Sequence, residues 1–200
     1  MIYGIPQNEE IQLNEETIWG GSPHRNDNSK ALAALPEVRK LIFQNKNAKA
    51  DSLINETFFG GPHGMPYQTA GSVILHFPEH HNYTDYYREL DINKAVAFTQ
   101  YTVDGVTYTR ETFTSFTDDV IIMRIKADKK GALNFDAGYK NPSKHSIFPD
   151  ENTLILEGRG SDHEGVPGKI IYQVHTQITS KDGKVEVCNS KIGGTDATEE

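Results

Sequence analysis

From Val73 onward the chain is patterned in twos. Val73, Leu75 and Phe77 alternate with Ile74 and His76, and Ile121, Met123, Ile125 and Ala127 alternate with Ile122, Arg124 and Lys126. Leu133, Phe135, Ala137 and Tyr139 repeat the pattern, as do Ile170, Tyr172, Val174, Thr176 and Ile178. Each run buries one face and wets the other, as strands of antiparallel sheets do. Asp104-Gly105 and Asp182-Gly183 fall between such runs and predict two-residue hairpin turns. Residues 140–152 read as the longest loop.

Before Val73 the period is helical. Leu32, Leu35, Val38, Leu41 and Ile42 predict a helix from about Lys30 to Gln44, which Pro36 either starts or kinks. A second helix is expected to begin near Asn47 as its N-cap. It carries Ala50, Leu53, Ile54, Thr57 and Phe58 on one face and stops at Gly60-Gly61. The expected fold is mainly β: an antiparallel, supersandwich-like β-sandwich with a two-helix insertion near the amino end, forming a single domain over residues 1–200.

The two ends carry a further expectation. Met1-Ile2-Tyr3-Gly4 opens in the middle of an apolar strand pattern, and residues 191–200 read as a turn leading toward a strand. The chain is therefore expected to be a fragment with an incomplete sheet edge, residues 195–200 poorly ordered, and a tendency to self-association through edge strands.

Charge narrows the partners. A net charge of −8 and a pI near 5.5 argue against nucleic acid and anionic membrane surfaces. No apolar run approaches the ~20 residues needed to span a bilayer. The single cysteine, Cys188, lies in a strand pattern and reads as packing.

Most catalytic chemistries find no foothold. His76, His80 and His81, with Glu79 among them, match no metal-binding motif and read as solvated, so no metal is expected. Gly60-Gly61-Pro62-His63-Gly64 lacks the lysine of a phosphate-binding loop, there is no nucleophile elbow, and no cofactor is implied. The carboxylates Glu9, Glu10, Glu15, Glu16, Asp91, Glu111, Asp118 and Asp119 are not forced by spacing to face one another. Asn55-Glu56-Thr57 and Asn82-Tyr83-Thr84 fit the glycosylation triplet, which alone decides nothing.

The richest stretch is Ile11-Gln12-Leu13-Asn14-Glu15-Glu16-Thr17-Ile18-Trp19-Gly20-Gly21-Ser22-Pro23. It sets the only tryptophan among amides, carboxylates and hydroxyls, beside a glycine pair that allows a sharp turn. Such a plate suits a sugar-facing surface and a domain contact equally. Asn14, Glu15, Thr17 and Trp19, with Gln68, are the candidate residues for either role.

This stretch resembles the LNE-x-T-x-W-x-G-G-x-P segment of glycoside hydrolase family 95, the inverting α-L-fucosidases. Leu35 to Ile42 resembles the family's first helix, and Pro66-Tyr67-Gln68-Thr69-Ala70-Gly71-Ser72 its Y-Q-x-x-G-[DN] motif, with Ser72 departing from it. Tyr86 to Ile92 and Tyr101 to Glu111 resemble its Y-x-R-x-L-D-[IL] and Y-T-x-x-G-V-x-[FY]-x-R-E motifs. The resemblance implies an amino-terminal sandwich domain, with the catalytic groups in a following (α/α)6 barrel outside these residues. No catalytic residue is therefore expected here. It also implies a carbohydrate (fucosylated glycan) partner for the intact enzyme, and a secreted or periplasmic bacterial setting. Two alternatives stand beside it: a free-standing carbohydrate-binding or adhesion module, and the sandwich domain of a glycoside phosphorylase.

Overall fold

The computed structural model describes residues 1–61 and 64–199, and it divides into two compact units. The first takes in Met1–Asn14, Thr69–Gly158 and Gln173–Glu200, and the second Glu15–Gln68 and Arg159–Tyr172. The chain passes from the first unit to the second at Asn14-Glu15 and again at Gly158-Arg159, and returns at Gln68-Thr69 and at Tyr172-Gln173.

The first unit is a β-sandwich. One sheet has six strands in the order β1-β2-β3-β8-β13-β12: Ile2–Ile5, Asn8–Leu13, Gly71–His76, Leu133–Lys140, Lys191–Ala197 and Lys184–Cys188. A second contains β4 (Tyr83–Asp91), β5 (Val96–Val103), β6 (Val106–Ser115) and β7 (Val120–Ala127) in chain order. A third runs β11 (Ile171–Gln177), β10 (Thr153–Arg159), β9 (His145–Asp150). The pairings with a defined register are antiparallel. The inward residues are those the alternation selects. Leu75, Phe77, Leu133, Phe135 and Ala137 from one sheet meet Tyr101, Val103, Tyr108, Ile125 and Ala127 from the other, with Leu154 of β10 closing the core.

Asp104 and Gly105 both have positive φ, 49° and 76°, so this hairpin makes the turn whose twist matches its strands. The Asp182-Gly183 expectation fails. β11 ends in the third sheet and β12 begins in the six-stranded one, so no hairpin joins them. Asp182 instead accepts hydrogen bonds from the Thr198 amide and hydroxyl, each at 2.8 Å. The two-residue turn in this region is Asn189-Ser190, between the paired residues Cys188 and Lys191, with Asn189 at φ 52°.

Two further expectations are corrected. The supposed loop 140–152 contains β9, which Pro149 disguises and which pairs with β10 through Glu151-Asn152. Residues 191–197 form β13, held between β8 and β12, rather than a turn or a poorly ordered tail. Its glycines suit close approach: a Cβ on Gly193 would come within 2.7 Å of the Phe135 carbonyl oxygen. Ile192 and Ala197 are fully buried. Beyond the strand, the Ala127 amide donates to Thr198 O and Glu199 pairs with Arg124 at 2.5 Å. Glu200 lies outside the described residues.

The second unit contains α1 (Ala31–Phe43) and α2 (Asn47–Thr57), packed on each other. Helix α1 runs through Pro36, which is not its start. Its inward side is Ala34, Leu35, Val38 and Leu41, while Leu32 and Ile42 are exposed. Asn45, at φ 55°, stops it; the Asn45 amide donates to Ile42 O and the Lys46 amide to Leu41 O, a left-handed cap. Asn47 is not the cap of α2. The amides of Lys49 and Ala50 close on Lys46 O, which makes Lys46 the cap and Asn47 the first helical residue. The helix ends at Thr57, whose hydroxyl donates to Leu53 O, rather than at Gly60-Gly61. The Pro62-His63 part of the glycine-rich segment lies outside the described residues.

Candidate functional site

The candidate segment folds around a short turn in the second unit. Glu15 organises it: its carboxylate accepts from the Thr17 amide at 2.9 Å and from the Thr17 hydroxyl. The Ile18 amide closes the turn on Glu15 O, and the Ile18 side chain is buried as its anchor. Trp19 then pairs with Tyr67 in an antiparallel bridge, with the Gly20 amide donating to Pro66 O at 2.8 Å and the Gln68 amide to Ile18 O at 2.9 Å.

The bridge sets two rings side by side. Their centroids are 5.4 Å apart and their planes stand at 75°. The indole N–H donates to Glu16 O at 2.8 Å, and the Tyr67 hydroxyl to Glu15 O at 3.1 Å. Both polar handles are thus spent on the backbone, yet each residue remains 44% exposed.

Residues 159–172 back this corner. Ser161 O accepts from the Gly21 amide at 2.7 Å, and Gly21 O accepts from the Lys169 amide at 3.2 Å. Gly21 has φ 66°, which gives the glycine pair its sharp turn. Gln68 ties the segment down twice: its side-chain oxygen accepts from the Ser161 amide at 3.0 Å, and its nitrogen donates to the Ser161 hydroxyl. Glu15, Thr17, Trp19 and Gln68 therefore fall in one unit around one turn. Asn14 belongs to the other unit, exposed at the end of β2.

Tyr67 and Ser161 are not among the candidates named from the sequence. Tyr67 sits inside a quoted motif and could have been found. Ser161 carries no signal, since 93 residues separate it from Gln68.

The polar residues of the sandwich unit serve its core. Glu9 is buried and pairs with Arg110 at 2.8 Å and Arg88 at 3.2 Å. Arg110 also donates to Pro6 O and to the Tyr101 hydroxyl, and its guanidinium lies 3.9 Å from the centre of the Phe77 ring. His80, expected to be solvated, is 3% exposed. It lies among Phe77, Tyr101 and Tyr108, with Nδ1 2.8 Å from the Tyr101 hydroxyl. Burial, and then the charge of Arg110, push its pKa down to about 4. His76 sits on β3 with Nδ1 2.7 Å from Asn8 Oδ1, and His81 is exposed. Among the described residues no three His, Cys, Asp or Glu side chains form a group that could hold a metal ion. No described helix is long and apolar enough to cross a membrane.

Comparison with known proteins places the chain. A family model described as "Glycosyl hydrolase family 65, N-terminal domain" matches residues 1–199. The chain is 37% identical over 162 residues to a protein named alpha-L-fucosidase 2 from Arabidopsis thaliana, an alignment covering 78% of this chain and 19% of the relative. It is 29% identical to a probable alpha-fucosidase A of Aspergillus niger, over 64% of this chain and 16% of the relative. It is 25% identical to a probable alpha-fucosidase A of Aspergillus oryzae, over 86% of this chain and 24% of the relative. The chain thus spans no more than a quarter of these relatives' lengths. It belongs to the glycosyl hydrolase family 65 N-terminal domain family, as an amino-terminal domain of the family 95 α-L-fucosidase kind that its sequence motifs resemble.

Proposed function

We propose that this chain is the non-catalytic amino-terminal domain of an inverting α-L-fucosidase-like glycoside hydrolase acting on terminal fucose of oligosaccharides. The observation that carries this reading is the family match over residues 1–199, joined to relatives named as α-fucosidases. Those names favour it over a phosphorylase sandwich and over a free-standing module.

The carboxylates support the non-catalytic part. An inverting enzyme needs an acid and a base ~6.5–9.5 Å apart across the glycosidic bond. The buried carboxylate among the described residues is Glu9, and its charge is matched by two arginines in the sandwich core. The rest of the protein would supply the acid, the base and the sugar pocket in a helical barrel.

The test compares two proteins. A longer form that includes the following domain is expected to release fucose from α-fucosides as the β-anomer, followed by NMR within the first turnovers. The 200-residue chain is expected to release none. Fucose release proportional to the concentration of the short chain would refute the non-catalytic reading, and an α-anomer product would refute inversion.

A further inference from the structure

Trp19 and Tyr67 differ from an ordinary exposed aromatic pair in being fixed before anything binds. The indole N–H and the phenol O–H are held by the carbonyls of Glu16 and Glu15. The backbone under them is bridged as a short antiparallel pair, and Gln68 locks the adjoining segment through Ser161. Each residue is nonetheless 44% exposed, and the two ring planes meet edge to face at 75°. A mobile aromatic loses rotamer freedom on binding, whereas these two have already lost it.

The border of the corner selects among ligands. Glu15, Glu16 and Thr17 are exposed beside it. Carboxylates repel polyanions but accept hydrogen bonds from hydroxyl groups. An apolar ring face combined with acceptors at its rim fits a neutral polyhydroxylated ring, whose C–H face stacks while its hydroxyls donate outward.

We propose that Trp19 and Tyr67 form a stacking shelf for a pyranose ring of the glycan, with Glu15 accepting from its hydroxyls. This rests on the fucosidase-like reading, which supplies a glycan as ligand. The shelf binds sugar without reacting with it.

The only tryptophan of the chain is Trp19, so intrinsic fluorescence reports this corner alone. Titration with a fucosylated lactose trisaccharide is expected to give a saturable blue shift, and the acyclic polyol sorbitol none. Tyr67→Ala is expected to weaken binding about tenfold, the worth of one well-packed aromatic contact. Tyr67→Phe, which keeps the ring but loses its tie to Glu15 O, should fall between Tyr67→Ala and the parent, and Tyr87→Ala on β4 should change nothing. Circular dichroism melts establish that each variant is folded. An emission that ignores the trisaccharide overturns the proposal, as does undiminished binding by folded Tyr67→Ala. In the longer protein, a folded Trp19→Phe or Tyr67→Ala variant that binds the trisaccharide with unchanged affinity would overturn it as well. Fucose release judges the underlying reading separately: hydrolysis with a silent Trp19 sinks the shelf alone, whereas a responsive Trp19 without hydrolysis sinks the fucosidase reading.

Discussion

Arg110 donates to the Glu9 carboxylate across 2.8 Å with both side chains almost wholly removed from water. The pair joins β6 to β2, one strand from each main sheet, and so helps fix how the two sheets pack. Removing Glu9 strands the Arg110 charge in the core, whereas removing Arg110 leaves Glu9 its second partner, Arg88. Glu9→Gln is expected to cost about 3–5 kcal/mol, the usual penalty for an orphaned buried ion, and Arg110→Met less, since Arg88 stays beside Glu9. The double variant Glu9→Gln/Arg110→Met should cost less than the sum of the two. Urea unfolding of all three variants measures the coupling, and additive losses would show that the ions do not depend on each other.

His80 makes the fold sensitive to mild acid. Its folded pKa of about 4 lies below its ordinary value of 6.5, so the unfolded chain takes up a proton that the folded chain refuses. Stability from this group is complete above pH 6.5 and is lost as the pH falls toward 4. The loss is bounded at about 3 kcal/mol, because each tenfold drop in proton affinity is worth about 1.36 kcal/mol. His80→Phe should flatten the change in urea midpoint between pH 7 and pH 5. An unchanged pH dependence would locate the acid sensitivity elsewhere.

Whether a residue's role is legible in sequence depends on how local its cause is. Asp104-Gly105 is readable because both positions need positive φ and its strands adjoin. Asp182-Gly183 has the same chemistry, with Gly183 at φ 83°, but sheet membership decides its role. Gly193 and Gly194 read as a turn, yet Gly193 serves a close approach to β8, which lies more than fifty residues earlier. His80 follows Pro78 and looks like loop; only the assembled sandwich brings Tyr101 and Tyr108 against it.

The candidate site divides the same way. Glu15, Thr17 and Trp19 are readable because one local turn gathers them. Gln68 is readable through its motif. Ser161 is not, because residues 159–169 have no period and Ser161 gains its place from hydrogen bonds to distant chain.

Tyr139 ties β8 to two strands of the third sheet. Its hydroxyl lies 2.9 and 3.0 Å from the carbonyl oxygens of Leu154 and Val174, and 2.7 Å from Thr176 Oγ1. Burial pushes its pKa up to about 12, so it stays neutral and able to donate throughout the working pH range. Tyr139→Phe keeps the ring and removes the hydroxyl. Thermal unfolding should show a loss of about 1–2 kcal/mol, that of a hydrogen-bonding group deleted beside partly buried acceptors. A neutral result would mean that water replaces the hydroxyl at no cost.

Gln68 acts on Ser161 as a strand would, accepting from its amide and donating to its hydroxyl. Among the described residues, other ties of 159–172 reach outward through Gly21, which donates to Ser161 O and accepts from the Lys169 amide. Others stay within the segment, as the Gly160 amide does on Ile170 O and the Gly168 amide on Asp162 Oδ1 at 2.8 Å. Gly168 lies so close to Gly160 that no side chain fits, which leaves the segment little room to repack. Without the Gln68 amide it must open more often rather than find another closed arrangement. Gln68→Ala is therefore expected to speed amide exchange at Ser161 and its neighbours about tenfold, the worth of roughly one hydrogen bond. Exchange in β5 and β6 should not change. Gln68→Glu keeps the acceptor for the Ser161 amide but loses the donor, and should fall between the two. Hydrogen exchange followed by mass spectrometry resolves these peptides, and a rise spread evenly over the whole chain would show that Gln68 supports global stability rather than this segment.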